Sequence, residues 1–265
     1  MRTALTIAGS DSSGGAGIQA DLKTFAAFGV YGVSAVTAIT AQNTQGVEAL
    51  TALAADDVTA QIEAVAGDIV IHATKTGMLA NAAIVEAVAA AIDELELPVV
   101  VVDPVMVSGD GRRLLDVDGE QALRLELLGR ARVVTPNVPE AEALSGRRIL
   151  SRGDAVEAAR RIHDMGPRAV IITGGHAAEP GDRVVDILFD GDAVHELAIE
   201  RVAAAGTHGT GCTYASAVAA ALALGFALTD AASDAQQYVA GAIRHALSVG
   251  RGRPLLNHFW RSARL

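Results

Sequence analysis

Short runs of Val, Ile, Ala and Leu alternate with amphipathic segments along nearly the whole chain, and this alternation most narrows the folds open to it. Residues 4–8, 33–39, 69–74, 99–102, 133–135 and 169–173 are candidate core strands. Several are almost unbroken Val and Ile, the composition of strands covered on both faces. Between them, Ile18, Leu22 and Phe25 share one helical face, as do Ile84, Val88 and Ile92, and Val156, Ala159 and Ile162. Such alternation implies an α/β fold: a mostly parallel sheet with helices on both faces. Segments 184–189 and 193–199 flank Asp190-Gly191-Asp192, which predicts an antiparallel hairpin at one edge of the sheet. Two Ala-rich helices are expected over 210–224 and 229–248. No repeat, low-complexity linker or composition break divides the chain, so residues 1–265 read as a single domain.

Hydrophobic residues make up 51% of the chain and aromatic residues 3%, so its core must be built from small aliphatic side chains. The net charge is −10 with no basic block, which argues against nucleic acid as a partner. The longest apolar run, 215–228, is shorter than a membrane span and is interrupted by Ser216 and Gly225. With no cleavage signature at the N-terminus, the expected setting is the cytoplasm, away from the membrane. The one cysteine, Cys212, excludes an intramolecular disulfide, and the seven histidines form no HExxH pattern for zinc.

Gly15-Ala16-Gly17-Ile18-Gln19-Ala20 fits the GxGxxG/A dinucleotide pattern. The acid that this fingerprint needs for a ribose hydroxyl is absent, because no Asp or Glu lies between Asp21 and Glu48. The segment reads instead as a strand-end loop that approaches a ligand closely, with Asp21 available as an acceptor. The two lysines, Lys23 and Lys75, do not follow a P-loop glycine pattern. Thr207-His208-Gly209-Thr210-Gly211-Cys212, directly before a long helix, can supply the phosphate cradle instead: backbone N–H groups and the helix dipole both favour an anion there. Thr207 and Thr210 can cap that helix or bond a phosphate oxygen. Cys212 sits in its first turn, where the dipole is expected to lower a thiol pKa. Asn137 is a natural N-cap before Pro139 and Glu140. Glu140 and Asp103 both follow candidate strands, where oxygen ligands for a hydrated Mg²⁺ are expected to gather. Gln42 offers a donor and an acceptor to a heterocycle edge, and Met78 offers a flat contact; either also suits a turn or core position.

Residues 4–11, 14–24, 40–44, 75–79 and 103–107, Thr135-Pro136-Asn137 and residues 207–212 together resemble the hydroxymethylpyrimidine/phosphomethylpyrimidine kinases, the thiamine-biosynthesis branch of the ribokinase-like superfamily. The resemblance runs from Ala4 to about His258. It implies a three-layer ribokinase-like fold and two successive ATP- and Mg²⁺-dependent phosphorylations, of a hydroxymethylpyrimidine and then of its monophosphate. It implies that Gly9, Asp21, Gln42, Met78 and Val105 line the pyrimidine site and that Gly209, Thr210 and Gly211 form an anion hole beside a catalytic Cys212. Asn137, Thr173, Thr207 and His208 would face the nucleotide, and the assembly would be a homodimer. Three positions depart from the family pattern: Ser108-Gly109-Asp110-Gly111 and Thr173-Gly174-Gly175-His176 each lack a customary lysine, and Gly206 replaces an Asn. Arg112 or Arg113 is the candidate replacement charge. A pyridoxal kinase of the same branch is the alternative reading, and a catalytically silent binding protein is the third.

Overall fold

The structure is a computed structural model that describes residues 1–174, 182–202 and 208–262. One sheet takes in every described strand, in the order β3-β2-β1-β4-β5-β6-β7-β8-β9. Its parallel centre consists of β1 (Thr3–Asp11), β2 (Tyr31–Gln42), β4 (Ala73–Thr76), β5 (Val100–Val102), β6 (Val133–Val134) and β7 (Val170–Ile172). β8 (Arg183–Phe189) and β9 (Val194–Glu200) form the expected hairpin, antiparallel to β7. The opposite edge is antiparallel as well, through β3 (Val47–Ala52) on β2.

Successive side chains of a strand point to opposite faces, so each apolar run feeds two cores. Val100 and Val102 join one cluster while Val101 joins the other, and Ile171 is likewise separated from Val170 and Ile172. The first cluster is closed by α2 (Ala55–Ala66), α3 (Ala82–Glu94), α5 (Val138–Ser145) and α6 (Arg152–His163); short α4 (Val117–Ala122) adds Ala122 to it. The second is closed by α1 (Gly17–Ala27), α7 (Thr210–Ala223) and α8 (Leu228–Arg244). These are the three expected layers. The Ala-rich composition of α7 lets it lie between sheet and α8, with Ala215, Ala217, Ala219, Ala220 and Ala221 fully buried. Truncating a larger core side chain such as Phe25 would cost about 3–5 kcal/mol.

One strand expectation needs correction. The run 69–74 is not one strand: Ile69 donates to Val65 at the end of α2, Val70 is exposed, and pairing begins only at Ala73. The sequence did not foresee β3, which makes the other edge antiparallel as well: half exposed and bearing Glu48 and Thr51, it lacks the continuous apolar signal of the centre.

Candidate active site

The candidate residues collect at the carboxyl ends of the parallel strands, the usual ligand position in open α/β sheets. Gln42 ends β2, Asp103 follows β5, Asn137 and Thr173 follow β6 and β7, and the anion loop opens α7.

A charged cluster lies beneath them. Lys75, fully buried on β4, donates to both carboxylate oxygens of Asp21 at 3.0 and 2.9 Å, and its Nζ lies 3.8 Å from Asp103 Oδ2. Burial pulls the Lys75 pKa down, but the negative groups around it, Asp21 first, outweigh this and hold it above the ordinary lysine range. Asp21 also accepts from Thr6 and Ser216, each at 2.6 Å. Its carboxylate therefore braces α1, β1, β4 and α7 from behind the pocket wall, with both oxygens committed inside the protein. Removing one partner of such a buried pair costs about 3–5 kcal/mol.

Asp103 is the next group outward. Burial lifts its carboxyl to about 6, Lys75 opposes the rise, Asp21 adds to it, and the neighbouring Cys212 thiol lowers it. Its Oδ2 is buried without a hydrogen-bond partner. Glu140 is pushed to about 8, by burial and then by the negative charge of Asp103, against N–H groups of Asn137 and Met106. Asn137 and Glu140 also form a reciprocal capping box on α5, at 3.0 and 2.9 Å. Glu140 thus has a structural role alongside any role toward a ligand.

The expectation of a lowered Cys212 pKa is overturned. Burial pushes the thiol up to about 12; Lys75 lowers it, Asp103 and Asp21 raise it further, and an N–H from Gly17 is too weak to reverse the outcome. The negative carboxylates and lost hydration outweigh the helix dipole.

The anion loop owes its shape to glycine. Gly209 is the N-cap of α7 at φ +88°, and no side chain caps the helix, so its first N–H groups remain open to an anion. A Cβ on Gly209 would collide with the Gly15 carbonyl oxygen, and one on Gly17 (φ +56°) with the Gly9 carbonyl oxygen. These positions let the 9–17 loop close against the start of α7. Of the two roles open to Thr210, a cap or a phosphate contact, it does not take the cap. Thr207 lies outside the described residues.

On the heterocycle side, a Cβ on Gly9 would sit 3.1 Å from Met78 Sδ, so the two are neighbours, and Val105 is half-buried beyond Asp103. Gln42 Nε2 lies 2.8 Å from His208 Nε2, which lies 3.0 Å from Asp11 Oδ2. The His208 ring therefore faces Gln42, whereas the resemblance assigns it to the nucleotide. On the other side of the anion loop, Asn137 and Thr173 are bridged across the strand ends, and the Thr173 N–H donates to Pro136. Buried Asp186 secures this end, accepting from the Gly174 N–H at 2.7 Å and from Gln236 of α8 at 2.9 Å. Burial raises the Asp186 carboxyl to about 6.

The candidate replacement charges are engaged elsewhere. Arg112 donates to the Val47 carbonyl at 2.9 Å, while Arg113 reaches Glu120 and the Leu115 carbonyl. Lys75 and Asp11 contact the candidate residues directly, and the sequence did not single them out. A lysine inside the four-residue strand Ala73–Thr76 was the available sign, since buried lysine is rare unless paired.

The phosphomethylpyrimidine kinase family profile matches residues 11–257. A hydroxymethylpyrimidine/phosphomethylpyrimidine kinase of Synechococcus elongatus is 50% identical over 258 residues, 97% of either chain. A thiamine biosynthesis bifunctional protein of Geobacter sulfurreducens is 48% identical over 96% of this chain, which spans about half, 51%, of that longer protein. In three dimensions, an ADP complex of Bacillus subtilis pyridoxal kinase superposes with a TM-score of 0.90 at 38% identity, over 99% of both chains.

Proposed function

Because the chain belongs to the phosphomethylpyrimidine kinase family, we propose that it transfers the γ-phosphoryl group of ATP to the hydroxymethyl oxygen of 4-amino-5-hydroxymethyl-2-methylpyrimidine, and then phosphorylates the resulting monophosphate, in thiamine biosynthesis. The observation that carries the chemistry is the uncapped start of α7 at Gly209, set beside Cys212 and the Asp103–Lys75–Asp21 chain. Phosphoryl transfer asks a protein chiefly for positioning and charge neutralisation. Gly209, Thr210 and Gly211 present backbone donors where the transferring group gains charge. In such holes one donor is worth on the order of 10²–10³ in rate.

The attacking hydroxyl is oriented by Cys212. A thiol held protonated is a poor base by itself, but Asp103 lies beside it, so as sulfur takes the hydroxyl proton its own proton passes to that carboxylate. Lys75 keeps that acceptor's charge local. Asp103 Oδ2, which accepts no hydrogen bond, and the buried Glu140 carboxyl beside it are hard oxygen donors that suit a divalent cation. Two carboxylates leave most coordination positions to water and phosphate oxygens, so Asp103 and Glu140 would hold Mg²⁺ together with ATP. Mg²⁺ bound there supplies neutralisation of the phosphate oxygens. Asn137 and Thr173 would orient the nucleotide. The setting we assign is a cytoplasmic homodimer; a 27.1 kDa particle in sedimentation equilibrium would remove the dimer.

Pyridoxal remains the competing substrate, because the superposed neighbour is a pyridoxal kinase. An ATP-consumption assay with hydroxymethylpyrimidine and pyridoxal side by side separates the readings. Faster turnover of the pyrimidine is expected. Faster turnover of pyridoxal reverses the assignment, and no turnover of either removes the kinase reading.

A further inference from the structure

Gln42 is held at the end of β2 by two neighbours, and their hydrogen-bonding states fix which way its amide faces. As placed, Gln42 Nε2 lies 2.8 Å from His208 Nε2, and Gln42 Oε1 lies 3.1 Å from Thr40 Oγ1. Amide nitrogen and oxygen have nearly the same shape, so their order must be assigned from the partners.

The partners begin with Asp11. Its carboxylate is buried and collects donors: the Ser13 N–H at 2.8 Å on Oδ1, and on Oδ2 the Ser13 hydroxyl at 2.9 Å and the N–H groups of Gly15 and Ala16 at 3.2 and 2.8 Å. Burial raises its pKa, yet the bonds from His208 and Ser13 outweigh burial and hold it below the ordinary carboxylate value. An ionised carboxylate accepts only. His208 Nε2, 3.0 Å from Oδ2, must therefore carry a hydrogen. A nitrogen that carries a hydrogen cannot also accept from an amide N–H 2.8 Å away. Its one hydrogen is then shared between Asp11 Oδ2 and the Gln42 group that faces it, and that group must be the amide oxygen. The other end agrees: the single Thr40 hydroxyl hydrogen has a closer acceptor in the Ser10 carbonyl, at 2.9 Å, which leaves Thr40 Oγ1 as an acceptor for the Gln42 amide nitrogen.

We propose that Asp11 and His208 form a positioning pair that fixes the Gln42 amide with its oxygen toward His208 and its nitrogen toward Thr40, and so determines which heterocycle edge the site accepts. The inference rests on the reading of Gln42 as the residue that reads the substrate ring. An aminopyrimidine edge places a ring-nitrogen acceptor beside an exocyclic amine donor. Such an edge makes two bonds to an amide in one order and none to the reverse order. A ring hydroxyl rotates its hydrogen and tolerates either order. The fixed amide thus favours the aminopyrimidine over a hydroxypyridine such as pyridoxal without touching either molecule through His208 itself.

The test begins with wild-type enzyme carrying ¹⁵N-labelled histidine. A long-range ¹H–¹⁵N correlation at neutral pH should show the His208 signal, assigned by its loss in His208→Gln, with hydrogen on Nε2. A bare Nε2 overturns the proposal. In kinetics, His208→Leu should raise the pyrimidine KM about tenfold, the scale of one misplaced buried hydrogen bond. The ATP KM should move less than about twofold, and His208→Gln, which restores an N–H donor, should recover most of the loss. Equal rises in both KM values mean general damage to the loop and also overturn the proposal. In a Gln42→Ala background His208→Leu should add nothing to the pyrimidine KM; an additive effect counts against the pair. Should Gln42→Ala alone leave that KM unchanged, the reading of Gln42 fails, while the tautomer result still decides the hydrogen-bond assignment.

Discussion

Cys212 shows how far a residue's chemistry departs from its local sequence context. Position in a first helical turn points to an activated thiolate, and in isolation that inference is sound. The tertiary surroundings reverse it, because burial weakens the hydration of a thiolate and Asp103 and Asp21 lie close by. In the proposed reaction it serves as a protonated relay beside the attacking hydroxyl. Cys212→Ala is expected to lower kcat about 100-fold or more, the usual weight of a positioned proton-transfer group. Steady-state turnover near the wild-type value would end the assignment. Lys75 is the complementary case: it was visible in the sequence as one of two lysines, but nothing local revealed three acidic or thiol neighbours from other elements. Asp11 and His208, 197 positions apart, are still less legible.

Among the elements, the meeting of the 9–17 loop with the start of α7 decides the site. Both glycine-rich segments stand out in the sequence; that each exists to admit the other does not. Gly209 takes a positive φ and also leaves room for the Gly15 carbonyl, so alanine there meets strain and a collision together. Gly209→Ala should reduce kcat about 100-fold by displacing the anion-hole donors. Thermal unfolding should fall by only a few degrees, as expected for about 1–3 kcal/mol of local strain. Wild-type kcat in a folded Gly209→Ala enzyme would show that the loop contact is dispensable. The β8–β9 hairpin and the N-cap at Asn137 were legible because turn and cap chemistry are local. β3 and α2 were not, since an exposed edge strand and an Ala-rich helix with only Val58 and Ile62 buried carry weak periodicity.

At the scale of the molecule, the segment after α8 folds back and seals the site from behind. Leu255 pairs with His208 and Leu247, and buried His258 lies 3.0 Å from the Thr213 hydroxyl of α7. Burial, then the charge of Lys23, lowers the His258 pKa from 6.5 to about 4. The folded protein therefore binds fewer protons here than the unfolded chain between these values. This contribution to stability is complete above pH 6.5 and is lost as pH falls toward 4, about 3 kcal/mol in all. Asp103, Glu140 and Asp186, with raised pKa values, act in the opposite sense. The readout is thus the difference between wild type and His258→Gln in denaturant titrations at pH 7.5, 5.5 and 4.5, with the wild type losing more as the pH falls. Parallel curves would show that His258 is not the group responsible.

What the sequence determined by itself is the layered α/β architecture, the hairpin, the glycine turn that opens α7 and the family. Each rests on a short-range pattern: a period of two or 3.6, a turn, a cap, or a contiguous motif. Tertiary structure alone decided the protonation of Cys212, the inward commitment of Asp21, the side of the site that His208 serves and the orientation of the Gln42 amide. Those properties depend on charge, desolvation and hydrogen-bond partners contributed by residues distant in the chain, and such fields exist only once β1, β4, β5 and α7 have been brought together.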